Sequence, residues 1–252
     1  MKKIMTLAAI FAAVMMGFSA CQPEDQPSTP GTEETPGTND ETPGTNEETP
    51  GEDDYKSPIT IDGEFADWDN LEGVVVCNSD PEATLQGLKQ MKVYADEVFI
   101  NVLLDIDYEI IEDRTAGNKN PVSLYLSTSK EAGGYDVWSD MCIEYMLQGW
   151  CLNGDTMDAW TSGMHMWIGE VHGTGWDGNW AEAAADVLPE SASTGSKIEI
   201  RLAIENLAPF NDTLGDVFYI GADVQQGWNS QGELPNGPAG EAVEMLEVAI
   251  VK

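Results

Sequence analysis

The chain has 252 residues and carries 45 acidic against 11 basic side chains, which gives a formal net charge of −34. A surface of this sign repels phosphate backbones and anionic lipid headgroups, so nucleic-acid binding and electrostatic membrane docking are excluded as expected functions. The charge admits neutral or cationic partners, although a solvated acidic surface without any partner has the same composition.

Residues 1–20 predict an export signal. Lys2 and Lys3 precede an apolar run over residues 4–18, and small residues stand directly before Cys21. The sequence Phe-Ser-Ala-Cys resembles the lipobox of bacterial lipoproteins, which implies that Cys21 is lipidated and becomes the mature N-terminus. Acyl chains would then be the only membrane attachment. An ordinary secretory signal with a chance cysteine is the alternative.

Residues 21–57 predict a disordered tether that begins with the lipidated cysteine. The unit Thr-Pro-Gly-Thr-Asn recurs in an acidic segment with almost no apolar residues. Such a segment cannot bury enough surface to offset its conformational entropy. Glu24 and Asp25 resemble the signal that sends Bacteroidetes lipoproteins to the cell surface, so surface display on the outer membrane is expected. In the alternative, these two residues are simply the start of the acidic tether.

Residues 58–252 predict an all-β domain. Apolar and polar residues alternate over 98–104 and 197–204, and turn-forming residues separate further short apolar runs at 59–61, 74–76, 88–94, 122–126, 141–147, 164–171, 217–224 and 245–251. This pattern is typical of a two-sheet antiparallel β-sandwich, jelly-roll-like, that follows the disordered N-terminal tether. We expect a hairpin from 88–94 and 98–104, and a short helical corner over 205–210.

The remaining cysteines and the histidines predict neither a metal site nor a cofactor. Cys77, Cys142 and Cys151 are an odd number, so at least one thiol stays unpaired, and a Cys142–Cys151 disulfide is one possibility. His165 and His172 show no clustered ligand spacing for zinc, and haem ligation by His165 with its neighbouring methionines is the weaker interpretation.

Four segments in order resemble family 9 carbohydrate-binding modules and their DOMON-like relatives. They are residues 59–68, which contain Ile-Asp-Gly and end in Asp-Trp; residues 91–102; residues 197–204; and residues 220–224 with Trp228 and 246–248. The resemblance implies a β-sandwich with a sugar-binding role. The chain departs from the family at residues 125–129, where an aspartate-rich calcium segment is replaced by Tyr-Leu-Ser-Thr-Ser, and only Trp228 lies near a position of the family's two-tryptophan sugar clamp.

Eight tryptophans supply the candidate ligand contacts. An indole ring covers the C–H face of a pyranose, and neighbouring Asp, Asn and Gln side chains bond its hydroxyls. We expect Trp68 in the core, and Trp160 and Trp167 on or near strands. Two predicted loops, 173–180 and 225–230, contain tryptophans beside Asp, Asn or Gln residues. Together with Trp138, which lies outside both loops, they supply the candidate site residues Trp176, Asp177, Asn179, Trp180, Gln226, Trp228 and Asn229. Alternatively, these tryptophans cover sheet edges.

The sequence therefore predicts a non-catalytic, surface-anchored lipoprotein that binds a neutral poly- or oligosaccharide. A structural or protein-interaction β-sandwich of the cell envelope is the alternative. A glycoside hydrolase is a weaker alternative. Such enzymes use a pair of carboxyl groups, but a chain with so many acidic residues contains such pairs by chance, so their presence is no evidence of catalysis. The sequence contains no nucleophile elbow, phosphate loop or histidine-rich metal motif.

Overall fold

The structure is a computed structural model, and it describes residues 55–107, 119–130, 143–153, 156–157, 164–169, 180–226, 229–241 and 243–252. For residues 119–120, 150–153, 156–157, 165–169 and 180–186 it describes the backbone alone. The chain divides into the units Met1–Thr49 and Pro50–Lys252, and every described residue belongs to the second unit.

The described part of the chain is built almost entirely from short strands. They are β1 Val75–Asn78, β2 Leu88–Ala95, β3 Phe99–Ile106, β4 Lys119–Ser127, β5 Tyr145–Asn153, β6 Thr156–Met157, β7 Met164–Gly169, β8 Trp180–Val187, β9 Glu190–Thr194, β10 Lys197–Ala203, β11 Val217–Gln226, β12 Asn229–Leu234 and β13 Leu246–Ala249. Helical structure is confined to the 3-10 turns Phe65–Trp68 and Ile204–Asn206 and to the four-residue helix α1, Phe210–Thr213, within the described residues. None of the described helices is long and apolar enough to cross a membrane.

Two antiparallel sheets form the fold. The five-stranded sheet has the order β1-β2-β3-β10-β9, and the eight-stranded sheet has the order β12-β11-β4-β5-β7-β8, with β13 beside β11 and β6 beside β5. The strand pairs within both sheets are antiparallel, including the hairpin of β2 and β3. The predicted all-β, two-sheet antiparallel sandwich is therefore confirmed.

The period-two alternation of the strands places the main core between the two sheets. Alternate residues of β3 and β10, such as Ile100, Val102 and Ile200, pack against Leu124 and Ile220 of the other sheet, and all five are fully buried. Each large aliphatic side chain removed from water contributes roughly 1.5–3 kcal/mol, so this layer dominates the stability of the sandwich.

The predicted strand at 59–61 is wrong. Ile59 and Ile61 alternate with a polar residue as in a strand, but the backbone N–H of Thr60 donates to Asp67 at 2.6 Å and that of Asp62 to Glu199 at 2.7 Å. Carboxylates therefore satisfy the backbone groups that a neighbouring strand would otherwise bind. Each of the remaining predicted strands overlaps a described strand, and the predicted helical corner corresponds to the 3-10 turn Ile204–Asn206 and helix α1.

The sheets approach each other closely beside β12. The N–H of Gly87, directly before β2, donates to the carbonyl of Gln231 at 2.9 Å, and Gln86 forms a bridge with Gly232. A Cβ at Gly232 would lie 2.5 Å from the carbonyl carbon of Gly87. Only glycine allows the two backbones to meet at this corner.

Candidate functional site

The N-terminal segment covers the outer face of the five-stranded sheet. Residues 55–74 run across this face and bury Ile59 and Trp68 against Tyr94 of β2 and Leu103 of β3. Trp68 is 1% exposed, which confirms the prediction that it belongs to the core. The chain itself therefore covers this part of the face.

Glu199 of β10 holds that segment in place. Its carboxylate is fully buried and accepts the N–H groups of Asp62 at 2.7 Å and Gly63 at 2.6 Å, and the indole N–H of Trp68 at 3.0 Å. Three donors thus satisfy a carboxyl group that the fold removes from water, as buried polar groups require. Two parts of segment 59–68, Ile-Asp-Gly and Asp-Trp, therefore contact Glu199 of segment 197–204.

The outer face of the eight-stranded sheet carries a row of polar residues. Strand register places Glu233 of β12, Asp223 of β11, Ser123 of β4 and Gln148 of β5 side by side. The backbone register continues to His165 of β7 and then to Asp186 of β8. The Gln148 amide donates to the Ser123 hydroxyl at 3.1 Å. Neighbouring positions of a sheet face lie about 5 Å apart, so the four described side chains form a continuous polar row across β12, β11, β4 and β5.

Asp223 organises the β11–β12 hairpin from within this row. Its side chain accepts the Gln225 amide at 2.6 Å and the Ser230 hydroxyl at 2.5 Å, one group from each strand of the hairpin. Burial raises the pKa of Asp223 to about 7, and the two hydrogen bonds oppose that rise. Burial also raises the pKa of Glu233, its partner in the register. The buried carboxylate therefore fixes the shape of the hairpin end.

Two predicted site residues come together at that end. Gln226, half-buried, ends β11 and pairs with the exposed Asn229 at the start of β12. The predicted loop 225–230 is therefore wrong in extent, because four of its six residues belong to paired strands; Gly227 and Trp228 lie outside the described residues. Paired side chains stand about 5 Å apart, so the two amides flank the connection that contains Trp228.

Trp180 lies far from this pair. It begins β8, at the opposite edge of the described eight-stranded sheet from Asn229, and its backbone pairs with Gly169. The prediction that Trp180 belongs to a loop is wrong, since it is a strand residue. Five inter-strand steps separate β8 from β12, roughly 24 Å measured along the sheet. Trp138, Trp176, Asp177 and Asn179, like the lipidation candidate Cys21, lie outside the described residues.

An aromatic cluster occupies the other half of the same outer face. Tyr125, Met146 and Tyr219 are buried there against Ile143 and Met245. The Tyr219 hydroxyl donates to Glu247 at 3.2 Å. Lys130 lies over its ring at 5.3 Å, in ion-pair contact with Glu244 and Glu247. The face is thus divided into a polar half beside the hairpin and an apolar half beside β13.

The segment that departs from the family's calcium motif forms an internal contact. The backbone N–H and hydroxyl of Thr128 donate to Glu144 at 2.5 and 2.7 Å, and the Ser127 hydroxyl donates to the same oxygen at 3.3 Å. Within the described residues, no three His, Cys, Asp or Glu side chains are grouped as metal ligands. Of the cysteines, Cys77 is a free, half-buried thiol, while the side chains of Cys142 and Cys151 are not described.

The sequence interpretation missed Asp223, Ser123 and Gln148. Each is a polar residue at an outward position of a strand, and the only sequence signal is their position between inward apolar residues. Their alignment depends on the register of three separate strands, which no local pattern specifies.

Comparison with models of known protein families and with curated proteins finds no match to this chain.

Proposed function

We propose that the chain is a non-catalytic glycan-binding lipoprotein and that the end of the β11–β12 hairpin is its contact surface. The observation that carries the proposal is the pairing of Gln226 with Asn229 on either side of Trp228, next to the residues Gln225 and Ser230 that buried Asp223 binds. Two amides offer both donors and acceptors to sugar hydroxyls, and an indole offers an apolar face to the ring. Such a shallow contact binds with a Kd of about 1 μM to 1 mM.

Affinity electrophoresis of the full chain in detergent tests this proposal. The gels contain hydroxyethyl cellulose, mixed-linkage β-glucan, xyloglucan, galactomannan or amylopectin. Retardation in at least one gel is expected, and Trp228→Ala should weaken it by about tenfold, the loss expected from one stacking contact. Leu188→Ala is the matched control, since Leu188 is 79% exposed on a different connection. Absence of retardation in every gel would instead favour a structural or protein-interaction module.

A hydrolase is the second candidate, because Asp223 and Glu233 form a carboxyl pair directly opposite each other. Glycosidases of the retaining type place two carboxyl groups about 5 Å apart. Asp223, however, is 2% exposed and bonded to Gln225 and Ser230, so it does not present a carboxyl group to solvent. This burial supports the non-catalytic proposal. Release of reducing sugar from any of the polysaccharides, abolished in Glu233→Gln, would overturn it.

The proposed anchor is tested separately. In a host that processes lipoproteins, the full chain should incorporate radiolabelled palmitate and fractionate with the outer membrane, and Cys21→Ser should abolish both. Surface display predicts that protease added to intact cells degrades the chain. Replacing both Glu24 and Asp25 with Ala should protect it if these residues direct export.

A further inference from the structure

A small cavity of about 250 Å³ lies at the β12 edge of the eight-stranded sheet. Its walls come from two connections, residues 84–85, which precede β2, and residues 235–241 with Val243, which follow β12, and from Glu233 near the end of β12. The lining residues include Thr84, Leu85, Glu233, Pro238, Glu241 and Val243. None of these six is a candidate residue of the proposed glycan site, so this cavity is separate from that site.

The two connections are held together by hydrogen bonds rather than left open. The Asn236 side chain accepts the N–H of Asp80 at 2.8 Å and donates to Ser79 at 3.0 Å and to the carbonyl of Leu85 at 3.1 Å. Ala83 forms a bridge with Pro238 across the same junction. The cavity is therefore built by fixed backbone, which lowers the entropic cost of binding a ligand.

Glu233 places a carboxylate in this cavity without a compensating cation. It stands directly opposite Asp223, and like charges in paired positions destabilise a sheet. The ion pairs among the described side chains join Lys89, Lys92, Lys130, Arg201 and Lys252 to other acids, and none of them includes Asp223 or Glu233. Burial raises the pKa values of both carboxyls, as expected where negative charge is desolvated and not neutralised.

We propose that this cavity binds a primary ammonium group carried by a small organic molecule. An ammonium has three N–H donors, and the cavity lining offers the side-chain oxygens of Thr84, Glu233 and Glu241 besides that of Asn236, which already accepts the N–H of Asp80. Leu85, Pro238 and Val243 supply apolar walls that suit the methylene or ring carbons beside the nitrogen. These apolar walls favour an organic cation over a bare metal ion, which would be surrounded by oxygen ligands alone.

The chemistry fits two sources, an amino sugar or an aliphatic amine, and the test separates them. Isothermal titration of the full chain in detergent at pH 8 and low salt uses glucosamine, cadaverine and neutral N-acetylglucosamine as probes. At least one amine should bind at least about tenfold more tightly than N-acetylglucosamine. Binding of glucosamine alone supports the amino sugar, and binding of cadaverine alone supports the aliphatic amine.

Variants locate the interaction. Glu233→Gln should weaken amine binding by at least about tenfold, and Glu241→Gln, at an exposed position, should weaken it by about threefold. Glu244→Gln is the matched control, because Glu244 lies nearby on the same connection but does not line the cavity. An equal loss in Glu244→Gln, no loss in Glu233→Gln, or displacement of the amine by equimolar calcium would overturn the proposal. Amide NMR shifts confined to Thr84, Gly237 and Gly240 on titration would support it even if Glu233→Gln does not fold.

Discussion

The indole N–H of Trp68 donates to the carboxylate of Glu199 at 3.0 Å, across 131 positions of sequence. The same carboxylate accepts two backbone N–H groups of the turn at Asp62 and Gly63. One buried side chain thus joins the segment that precedes β1 to β10 of the five-stranded sheet.

Glu199→Ala should lower the free energy of unfolding by about 3–5 kcal/mol, because it leaves three donors without an acceptor in a buried site. The measurement is urea unfolding followed by circular dichroism. Glu190→Ala is the control: Glu190 pairs with Arg201 at the surface, and its loss should cost at most about 1 kcal/mol. Equal effects of the two substitutions would contradict the role given to Glu199.

Gly232→Ala should destabilise the sandwich by about 1–3 kcal/mol, since the added methyl group meets the backbone of Gly87 and Leu88 rather than a flexible side chain. Thermal unfolding measures the change. Gly215→Ala is the matched control, because nothing lies within 4 Å of a Cβ at that position. A melting temperature unchanged in Gly232→Ala would show that the sheet corner tolerates separation.

Asp223 should make the wild-type chain less stable as pH rises. Its pKa is raised by burial from 3.8 to about 7, so the folded chain holds the proton to higher pH than the unfolded chain does. The stabilising contribution of the protonated form is complete below pH 4 and is lost as pH passes 7. Relative to Asp223→Asn, the wild type should lose about 3 kcal/mol between pH 5 and pH 8. Urea unfolding of both proteins at the two pH values measures this difference, and parallel pH profiles would refute it.

Cys77 should react slowly with iodoacetamide in the folded protein. Burial raises the pKa of its thiol from 9.0 to about 11, which leaves about 100-fold less thiolate at pH 8. Peptide mass spectrometry follows the modification in native buffer and in urea, where the rate should recover. A cysteine placed at Val76, which is 45% exposed, in a Cys77→Ser background is the control and should react quickly in both conditions.

The sequence predicted the strands that bury a continuous apolar stripe and missed those that do not. β3 and β10 alternate Ile, Val and Leu with polar residues, so their period is visible. β8 is rich in alanine, β9 consists of small and polar residues, and β12 contains a glycine, so their pairing comes from neighbouring strands rather than from intrinsic preference. At the candidate site, Gln226 and Asn229 were found from composition. The role of Asp223 was not found, because its bond to Ser230 depends on the register of β11 with β12.

The segment that crosses the five-stranded sheet also sets how the domain resists mechanical load. Tension applied at Tyr55 first reaches its hydroxyl bond to Asp96, which caps the β2–β3 turn, and then the Arg201 contact with the carbonyl of Ile59. Beyond these lie the three bonds to Glu199. Force applied at Tyr55 must therefore break these contacts one after another before it can separate a strand from the sheet.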